Sequence, residues 1–156
     1  MFRIEETKDR ALLDELIKDD KLANAALMDE ELAALEQGLS IVDFDRHRYL
    51  VFYRGAVALG FMKFEPITNV TLGYHSYIRS EFWGLDIANK LVPLLDDWFR
   101  ENTKYLKITV QTPECCREVL QFAARNGFEV EGVLTGGIFW RGKLENLILM
   151  SRFIGD

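Results

Sequence analysis

The sequence is poor in cysteine and in long apolar runs, and each scarcity excludes a class of protein. Only two cysteines occur in 156 residues, and they are adjacent, Cys115 and Cys116. They cannot join distant parts of the fold, and they lack the spacing of metal ligands. No apolar run approaches the roughly 18 residues that span a bilayer, and the N-terminus lacks the apolar segment of a signal peptide. We therefore expect a soluble, cytoplasmic protein without a metal site.

Positive charge and proline are also scarce. The chain has 19 Lys and Arg against 25 Asp and Glu, for a net charge of -6. Proteins that bind nucleic acid or membrane surfaces need a basic footprint, so we expect neither as a partner. Three prolines and 49% hydrophobic residues favour an ordered chain with one good core. The sequence predicts a single domain over residues 1–156.

Hydrophobic periodicity predicts elements in the order β, α, α, β, β, β, α, β, α, β, β, typical of an α+β domain with a mixed sheet. The predicted strands are Phe2–Glu5, Tyr49–Tyr53, Ala56–Glu65, Val70–Ile78, Tyr105–Val110, Glu129–Leu134 with Ile138–Arg141, and Leu144–Phe153. The predicted helices are Thr7–Leu27 with a break near Asp19–Asp20, Asp29–Glu36, Leu85–Glu101, and Pro113–Asn126 capped by Thr112. Pro93 should kink or break the third of these helices. Hairpin turns are expected at Arg54-Gly55 and at Arg141-Gly142.

The most informative segment runs from Tyr77 to Leu91, where an alternating pattern gives way at Gly84 to helical periodicity. A strand that turns directly into a helix presents free backbone N–H groups and a positive dipole end, which suit a phosphate. Asp86 places a negative charge in that turn. Two unit charges about 4 Å apart repel by roughly 4 kcal/mol at an effective dielectric of 20. Alternatively, Asp86 points outward or caps the helix.

Two motifs carry a resemblance to a known family. The letters W-G-L-D-I-A of residues 83–88 match a phosphate turn written W-G-x-G-x-A, and N-G-F-E-V-E-G-V of residues 126–133 matches a G-F-x-x-x-G element. With these residues the chain resembles the GNAT superfamily of N-acyltransferases, most strongly over Val70–Phe153. Within it, the chain is similar to the branch that acts on ribosomal-protein N-termini and to GNAT-like proteins encoded by phages and prophages.

The resemblance implies a fold, a cosubstrate and an acceptor. The fold is a central, mostly antiparallel twisted sheet of about six or seven strands flanked by about four helices. Acetyl-CoA is the implied cosubstrate, and an amine is the implied acceptor. The edge of Val70–Ile78 would hold the pantetheine arm, with a β-bulge exposing the amide that polarises the thioester. The implied coenzyme-binding residues are Ile78, Trp83, Gly84, Leu85, Asp86, Ile87 and Ala88.

The catalytic residues are less clear from the sequence. The tyrosine that often protonates the departing thiolate in this family falls at Ala123, and a frequent asparagine falls at about Cys116. His75, on the strand that enters the turn, titrates near neutrality and is the candidate base, while packing is its alternative role. Tyr77 is the second catalytic candidate, as an acid or as core. The adjacent cysteines begin a helix whose dipole would lower a thiol pKa, so a nucleophile is also considered.

Three functions follow from these observations. The first is an acyl-CoA-dependent N-acetyltransferase that modifies an amine. The second is a catalytically degenerate GNAT-fold protein that serves as a binding or assembly component, encoded by a phage. The third is a small-molecule-binding domain that uses the same cleft for another anion. For each of them, the apolar edge at residues 136–140 makes a second copy of the chain a candidate partner.

Overall fold

A mixed sheet forms the centre of the protein in the computed structural model, which describes residues 1–84 and 86–155. The sheet has seven strands over these residues, in the order β1-β2-β3-β4-β5-β7-β6. Neighbouring strands are antiparallel, except that β4 and β5 are parallel. The strands are β1 (Phe2–Thr7), β2 (Arg48–Arg54), β3 (Val57–Pro66), β4 (Thr71–Ile78), β5 (Lys107–Pro113), β6 (Glu129–Trp140) and β7 (Lys143–Phe153).

Helices cover both faces of the sheet. The α-helices in the described ranges are α1 (Arg10–Leu16), α2 (Asp20–Ala26), α3 (Asp29–Glu36), α4 (Ile87–Asn102) and α5 (Arg117–Arg125), and a short 3-10 helix spans Ser80–Phe82. Side chains of a strand alternate between the two faces, so the sheet has two cores. One core, with Leu72 of β4, lies under α4 and α5. The other, with Tyr77 of β4, lies under α1, α2 and α3. The predicted α+β fold is confirmed.

Local capping explains the helices that the sequence predicted well. The break near Asp19–Asp20 is confirmed, because the Asp19 carboxylate accepts a hydrogen bond from the Leu22 N–H and begins α2 there. The bounds of Asp29–Glu36 are also confirmed. Of the kink or break predicted at Pro93, the break is wrong, since α4 runs through this residue without interruption, and the kink stays a prediction. Packing of the apolar side of α4 against the core compensates for the lost hydrogen bond.

Sheet pairing overrides the sequence pattern in the second half of the chain. The predicted helix Pro113–Asn126 is wrong at its start, because Thr112 and Pro113 pair with β7 and α5 begins only at Arg117. Buried in the sheet, Thr112 does not cap the helix. Glu129–Leu134 and Ile138–Arg141, which the sequence suggested were separated by a gap, form one strand with two irregularities in its register.

The two hairpin turns differ in how well they were located. Arg141 and Gly142 have positive φ angles of 54° and 78°, as a two-residue hairpin turn requires, so this prediction is confirmed. The other turn is displaced by one residue, because Arg54 pairs with Val57 and leaves Gly55-Ala56 between the strands. Over the described ranges, no helix is long and apolar enough to cross a membrane.

Candidate active site

The parallel strands β4 and β5 pair over a short stretch and then separate. Their register runs from Thr71 opposite Lys107 to Gly73 opposite Thr109. Beyond it, β4 stays paired with β3 as far as Ile78, and β5 stays paired with β7 to its end. Within the described chain, neither of these segments is paired with another strand along its facing edge. We call the resulting opening between residues 74–78 and 110–113 the β4–β5 gap.

Backbone groups of β4 face the β4–β5 gap. The carbonyl of Val70, just before β4, accepts hydrogen bonds from the N–H groups of Leu106 at 3.0 Å and Lys107 at 3.1 Å, on the β5 side. Successive residues of a strand direct their N–H and C=O groups to opposite edges. Tyr74 and Ser76 therefore present theirs to the gap, where an extended ligand with amide groups can pair with them as an added strand does.

The expected β-bulge in β4 is absent from the β3–β4 register, which is regular from Gly60–Ile78 to Pro66–Leu72. The register shift lies instead between β2 and β3, at Phe52 and Tyr53. The expectation is therefore wrong for β4. Separation of two parallel strands, without a bulge, exposes the backbone here.

Gly60 permits the close approach of β3 to the end of β4. A Cβ added at Gly60 would lie 2.1 Å from the carbonyl oxygen of Tyr77 and 2.8 Å from the Cα of Ile78. These are backbone atoms, so no side-chain rotation relieves the clash. The position of Ile78, at the entrance of the turn that leads into α4, therefore depends on a residue without a side chain.

We predict that Gly60→Ala lowers the free energy of unfolding by about 1–3 kcal/mol, because the added methyl group forces β3 and β4 apart. Gly132→Ala is the matched control, since a Cβ at Gly132 meets no atom within 4 Å. Urea denaturation of both variants measures the difference. Equal stability of the two variants would contradict the role assigned to Gly60.

The turn after β4 leads into α4 through two residues with positive φ. Trp83 is extended, Gly84 has φ 77°, and Asp86 has φ 58° and ψ 23°, directly before Ile87. Leu85, predicted to bind the coenzyme, lies outside the described residues. The first N–H groups of a helix have no intrahelical partner. Among the described residues, no side chain caps the N–H groups at Ile87 and Ala88, a position that suits an anion.

Trp83 closes the end of the β4–β5 gap. Its indole N–H donates a hydrogen bond to the carbonyl of Ile78 at 2.8 Å. By the alternation of β4, that carbonyl is on the gap edge of the strand. The structure thus brings together Ile78 and Trp83, two of the predicted coenzyme-binding residues. Trp83 as a whole is 46% exposed, which leaves a surface for a ligand.

The Asp86 side chain does not cap α4, but it does contact the first turn of this helix. Its carboxylate accepts a hydrogen bond from the side-chain amide of Asn89 in the first turn, and no side-chain capping bond is formed. The carboxylate thus stays at the positive end of the helix, where it competes with any other anion. A left-handed conformation costs a residue with a side chain about 1 kcal/mol, and glycine avoids this cost.

The two predicted catalytic residues, His75 and Tyr77, lie on the same face of β4 but differ in their exposure to solvent. Tyr77 is 2% exposed and packs its ring against Phe61, with centroids 4.9 Å apart. Burial raises the pKa of the Tyr77 hydroxyl well above its ordinary value. His75 is exposed, two residues earlier. The structure therefore offers His75 to a ligand, while the position of Tyr77 favours a packing role.

Charged residues around His75 were missed by the sequence reasoning. Lys63 lies directly opposite His75 in the β3–β4 register, and its ammonium is 3.2 Å from the carboxylate of Glu31 on α3. Desolvation by the surrounding protein and the charge of Lys63 lower the pKa of His75 from 6.5 to about 4, although the residue is exposed. The titration near neutrality expected from the sequence is therefore wrong. The sequence signal that could have identified this group was Lys63 itself, a charged residue inside the otherwise apolar run of residues 60–64.

The β6–β7 turn docks on the same face as His75. The guanidinium of Arg141 pairs with Asp29 at 2.8 Å and donates to the carbonyl of Leu27 at 2.8 Å. Hydrogen bonds from Arg141 lower the pKa of Asp29. Since Asp29 and Glu31 both belong to α3, one helix contacts the hairpin and the ion pair beside His75.

Neither Ala123 nor Cys116, which fall at the other two positions discussed from the sequence, has the properties of a catalytic residue. Ala123 is buried against the core. Cys116 precedes α5, and burial raises the pKa of its thiol to about 11. The lowered thiol pKa that a nucleophile requires is therefore not found at Cys116, which argues against this residue as a nucleophile.

Comparison with known proteins identifies the fold. No protein-family model and no curated protein matches the chain significantly. Among solved structures, spermidine N-acetyltransferase from Vibrio cholerae, in complex with CoA and spermine, is 15% identical, with a TM-score of 0.75 over 98% of this chain and 95% of that chain. Ribosomal-protein-S5-alanine acetyltransferase from Vibrio fischeri is 16% identical, with a TM-score of 0.74 over 99% and 94%.

A third neighbour broadens the set of acceptors. IAA acetyltransferase from Bacillus cereus is 16% identical, with a TM-score of 0.66 over 98% of this chain and 99% of that chain. The chain therefore has the fold of the GNAT superfamily of N-acyltransferases. The predicted resemblance is confirmed at the level of the fold.

Proposed function

We propose that the protein is an acyl-CoA-dependent N-acetyltransferase that transfers an acetyl group from acetyl-CoA to an amine. The observation that carries the proposal is the β4–β5 gap, which leads into the free first turn of α4. A strand edge with unpaired amides and a helix start suit the two halves of one ligand, an amide-containing arm and a pyrophosphate. The structural neighbour from Vibrio cholerae is in complex with CoA and spermine, which supports the assignment.

In this proposal the coenzyme lies along β4. The N–H and C=O groups of Tyr74 and Ser76 pair with the pantetheine arm, and the backbone near Ile78 faces the thioester. The pyrophosphate is held by the N–H groups of residues 83–88, which are Trp83, Gly84, Leu85, Asp86, Ile87 and Ala88. The indole of Trp83 covers the end of the arm.

His75 is the proposed base. Near neutral pH the acceptor is an ammonium ion, and it must lose a proton to His75 before its nitrogen can attack the carbonyl carbon of the thioester. A C–N bond forms and the C–S bond breaks, and the nitrogen then loses its second proton to the departing thiolate. The products are an N-acetylated amine and CoA, and the proton held by His75 passes to solvent. Tyr77 stays the second catalytic prediction, and its burial ranks it below His75.

A catalytically degenerate GNAT-fold protein is the second candidate. Asp86 at the phosphate turn and Ala123 at the position of the usual tyrosine favour it. Such a protein would be a binding or assembly component, and its origin from a phage stays a prediction. The third candidate, a domain that binds another anion in the cleft, depends on the same free helix start.

Isothermal titration calorimetry with acetyl-CoA and with CoA separates these candidates. The enzyme is expected to bind both at micromolar concentration. If neither ligand gives heat up to millimolar concentration, the enzyme is rejected and the assembly role is favoured. Heat with inorganic pyrophosphate but not with CoA would instead support the third candidate. Acetylation of spermidine or of a peptide with a free α-amino group, followed by mass spectrometry, then tests turnover.

A homodimer and a cytoplasmic location complete the proposal. The strand β6 is the last of the sheet, and its outer edge has no partner in the described chain. Phe139, near the hairpin turn, is 63% exposed on it. A second copy could pair with this edge. Sedimentation that shows a monomer at micromolar concentration would remove the homodimer.

A further inference from the structure

The buried ammonium of Lys63 is unusual for a strand in the middle of a sheet. Lys63 is 9% exposed, between apolar residues of β3. A buried charge is costly unless it is paired, and its partner here is Glu31, at 3.2 Å. The other oxygen of Glu31 accepts a hydrogen bond from the N–H of Met28 at 3.0 Å, which fixes the carboxylate at the start of α3. The ammonium therefore has a defined position.

Stability alone does not explain this ion pair. Replacing a buried pair with apolar side chains of similar volume is often neutral or stabilising, because the pair must be removed from water. What distinguishes this pair is its neighbour, since Lys63 and His75 are directly opposed in the register of β3 and β4. Side chains of such cross-strand partners interact directly.

We propose that Lys63, fixed by Glu31, acts on catalysis through His75 as a positioning residue. The positive charge of the Lys63 ammonium disfavours protonation of the His75 imidazole and so keeps the imidazole neutral. The proposal rests on the proposed function, in which His75 takes a proton from the acceptor amine. A neutral imidazole can accept that proton, whereas a protonated one would also repel a cationic acceptor. Glu31 balances the charge of Lys63, so the pair itself does not exclude a cation.

The charged groups around His75 have opposite effects on its pKa. Those that favour its neutral form are Lys63 on β3 and His47 in the loop before β2, and those that favour its charged form are Glu31 on α3 and Glu65 on β3. Removal of Lys63 and removal of Glu31 should therefore have opposite effects on His75. A purely structural role for the pair predicts no such opposition.

The test is a titration of the His75 imidazole by NMR in the free protein, which does not depend on activity. The chain has two histidines, so a His47→Gln background assigns the signal. We expect Lys63→Met to raise the pKa of His75 by about one pH unit, the low end of the effect of a neighbouring charge. Glu31→Gln should leave the imidazole neutral to the lowest pH at which the protein is folded.

The rate profile is the second readout. In Lys63→Met, the acid limb of kcat/KM for acetyl transfer, which reports groups of the free enzyme, should move up in pH by the same amount as the imidazole titration. Lys63→Arg should restore the original profile. If Lys63→Met does not fold, the double variant Lys63→Met with Glu31→Gln is compared with Glu31→Gln alone. These two proteins differ only at Lys63, so the pKa of His75 should be higher in the double variant.

The outcomes against the proposal are distinct from failure of the proposed function. An unchanged His75 titration in Lys63→Met, or equal titrations in the double variant and in Glu31→Gln, overturns the proposal even if the protein is an active acetyltransferase. A shifted titration with an unchanged rate profile overturns it as well. Absence of acetyl-CoA binding in the wild-type protein rejects the proposed function, while the NMR titration still decides whether Lys63 sets the charge of His75.

Discussion

Replacing Asp86 with asparagine is expected to tighten the binding of CoA by about 10- to 100-fold, because it removes the negative charge at the proposed pyrophosphate site. Repulsion between unit charges at 4 Å is about 1 kcal/mol in water and about 4 kcal/mol at an effective dielectric of 20. Asp86 is exposed, so its contribution should lie between these limits. Each 1.4 kcal/mol corresponds to about tenfold in affinity. Calorimetry of the two proteins measures the effect.

A glycine variant separates charge from backbone strain at Asp86. Asparagine tolerates the left-handed conformation of this residue, and it can keep a hydrogen bond with Asn89. Asp86→Gly also removes the charge, but it relieves the conformational cost as well. Similar affinities for both variants would assign the gain to the charge, and the gain should shrink in high salt. Unchanged affinity in both variants would mean that the carboxylate points away from the bound pyrophosphate.

Replacing His75 with glutamine is expected to lower kcat by about 100-fold, the low end of the contribution of a general base. The KM for acetyl-CoA should change little, because the side chain of His75 lies on the opposite face of β4 from the α4–α5 core. Steady-state acetylation of spermidine, or of whichever tested amine is a substrate, gives both constants. A kcat within threefold of wild type would contradict the assignment of His75 as the base.

Tyr77→Phe is the companion variant to His75→Gln. It removes the second candidate hydroxyl and keeps the ring that packs against Phe61. The burial of Tyr77 leads us to expect a nearly unchanged kcat and thermal stability. A large loss of kcat in a folded Tyr77→Phe protein would move the catalytic role from His75 toward Tyr77.

Local signals in the sequence predicted the parts of the fold that local chemistry determines. Asp29–Glu36 was located with Gly38 as its stop, and the strand-to-helix turn before α4 was located by the change of period at Gly84. The start of α5 was not, because Thr112 and Pro113 have the pattern of a helix cap and first turn. Only pairing with β7, far along the chain, holds them in a strand.

The candidate site shows the same division. The sequence placed His75 and Tyr77 on one strand, but it contained no information on which side chain would be covered. Burial of Tyr77 follows from helices α1 and α2, which lie near the beginning of the chain. The role of Lys63 was not predicted, because the strand period shows only on which face of the sheet its side chain lies. The period cannot show that Glu31 and His75 lie beside Lys63 on that face. Three separate elements create that environment.

Amide hydrogen exchange with and without acetyl-CoA tests the central claim most directly, that the coenzyme lies in the β4–β5 gap. We predict that a saturating concentration of acetyl-CoA slows exchange at the N–H groups of Tyr74 and Ser76, and at Ile87 and Ala88 in the first turn of α4. The N–H groups of β6, on the far edge of the sheet, should be unaffected. Saturable binding with unchanged exchange along β4 and at the start of α4 would contradict the claim.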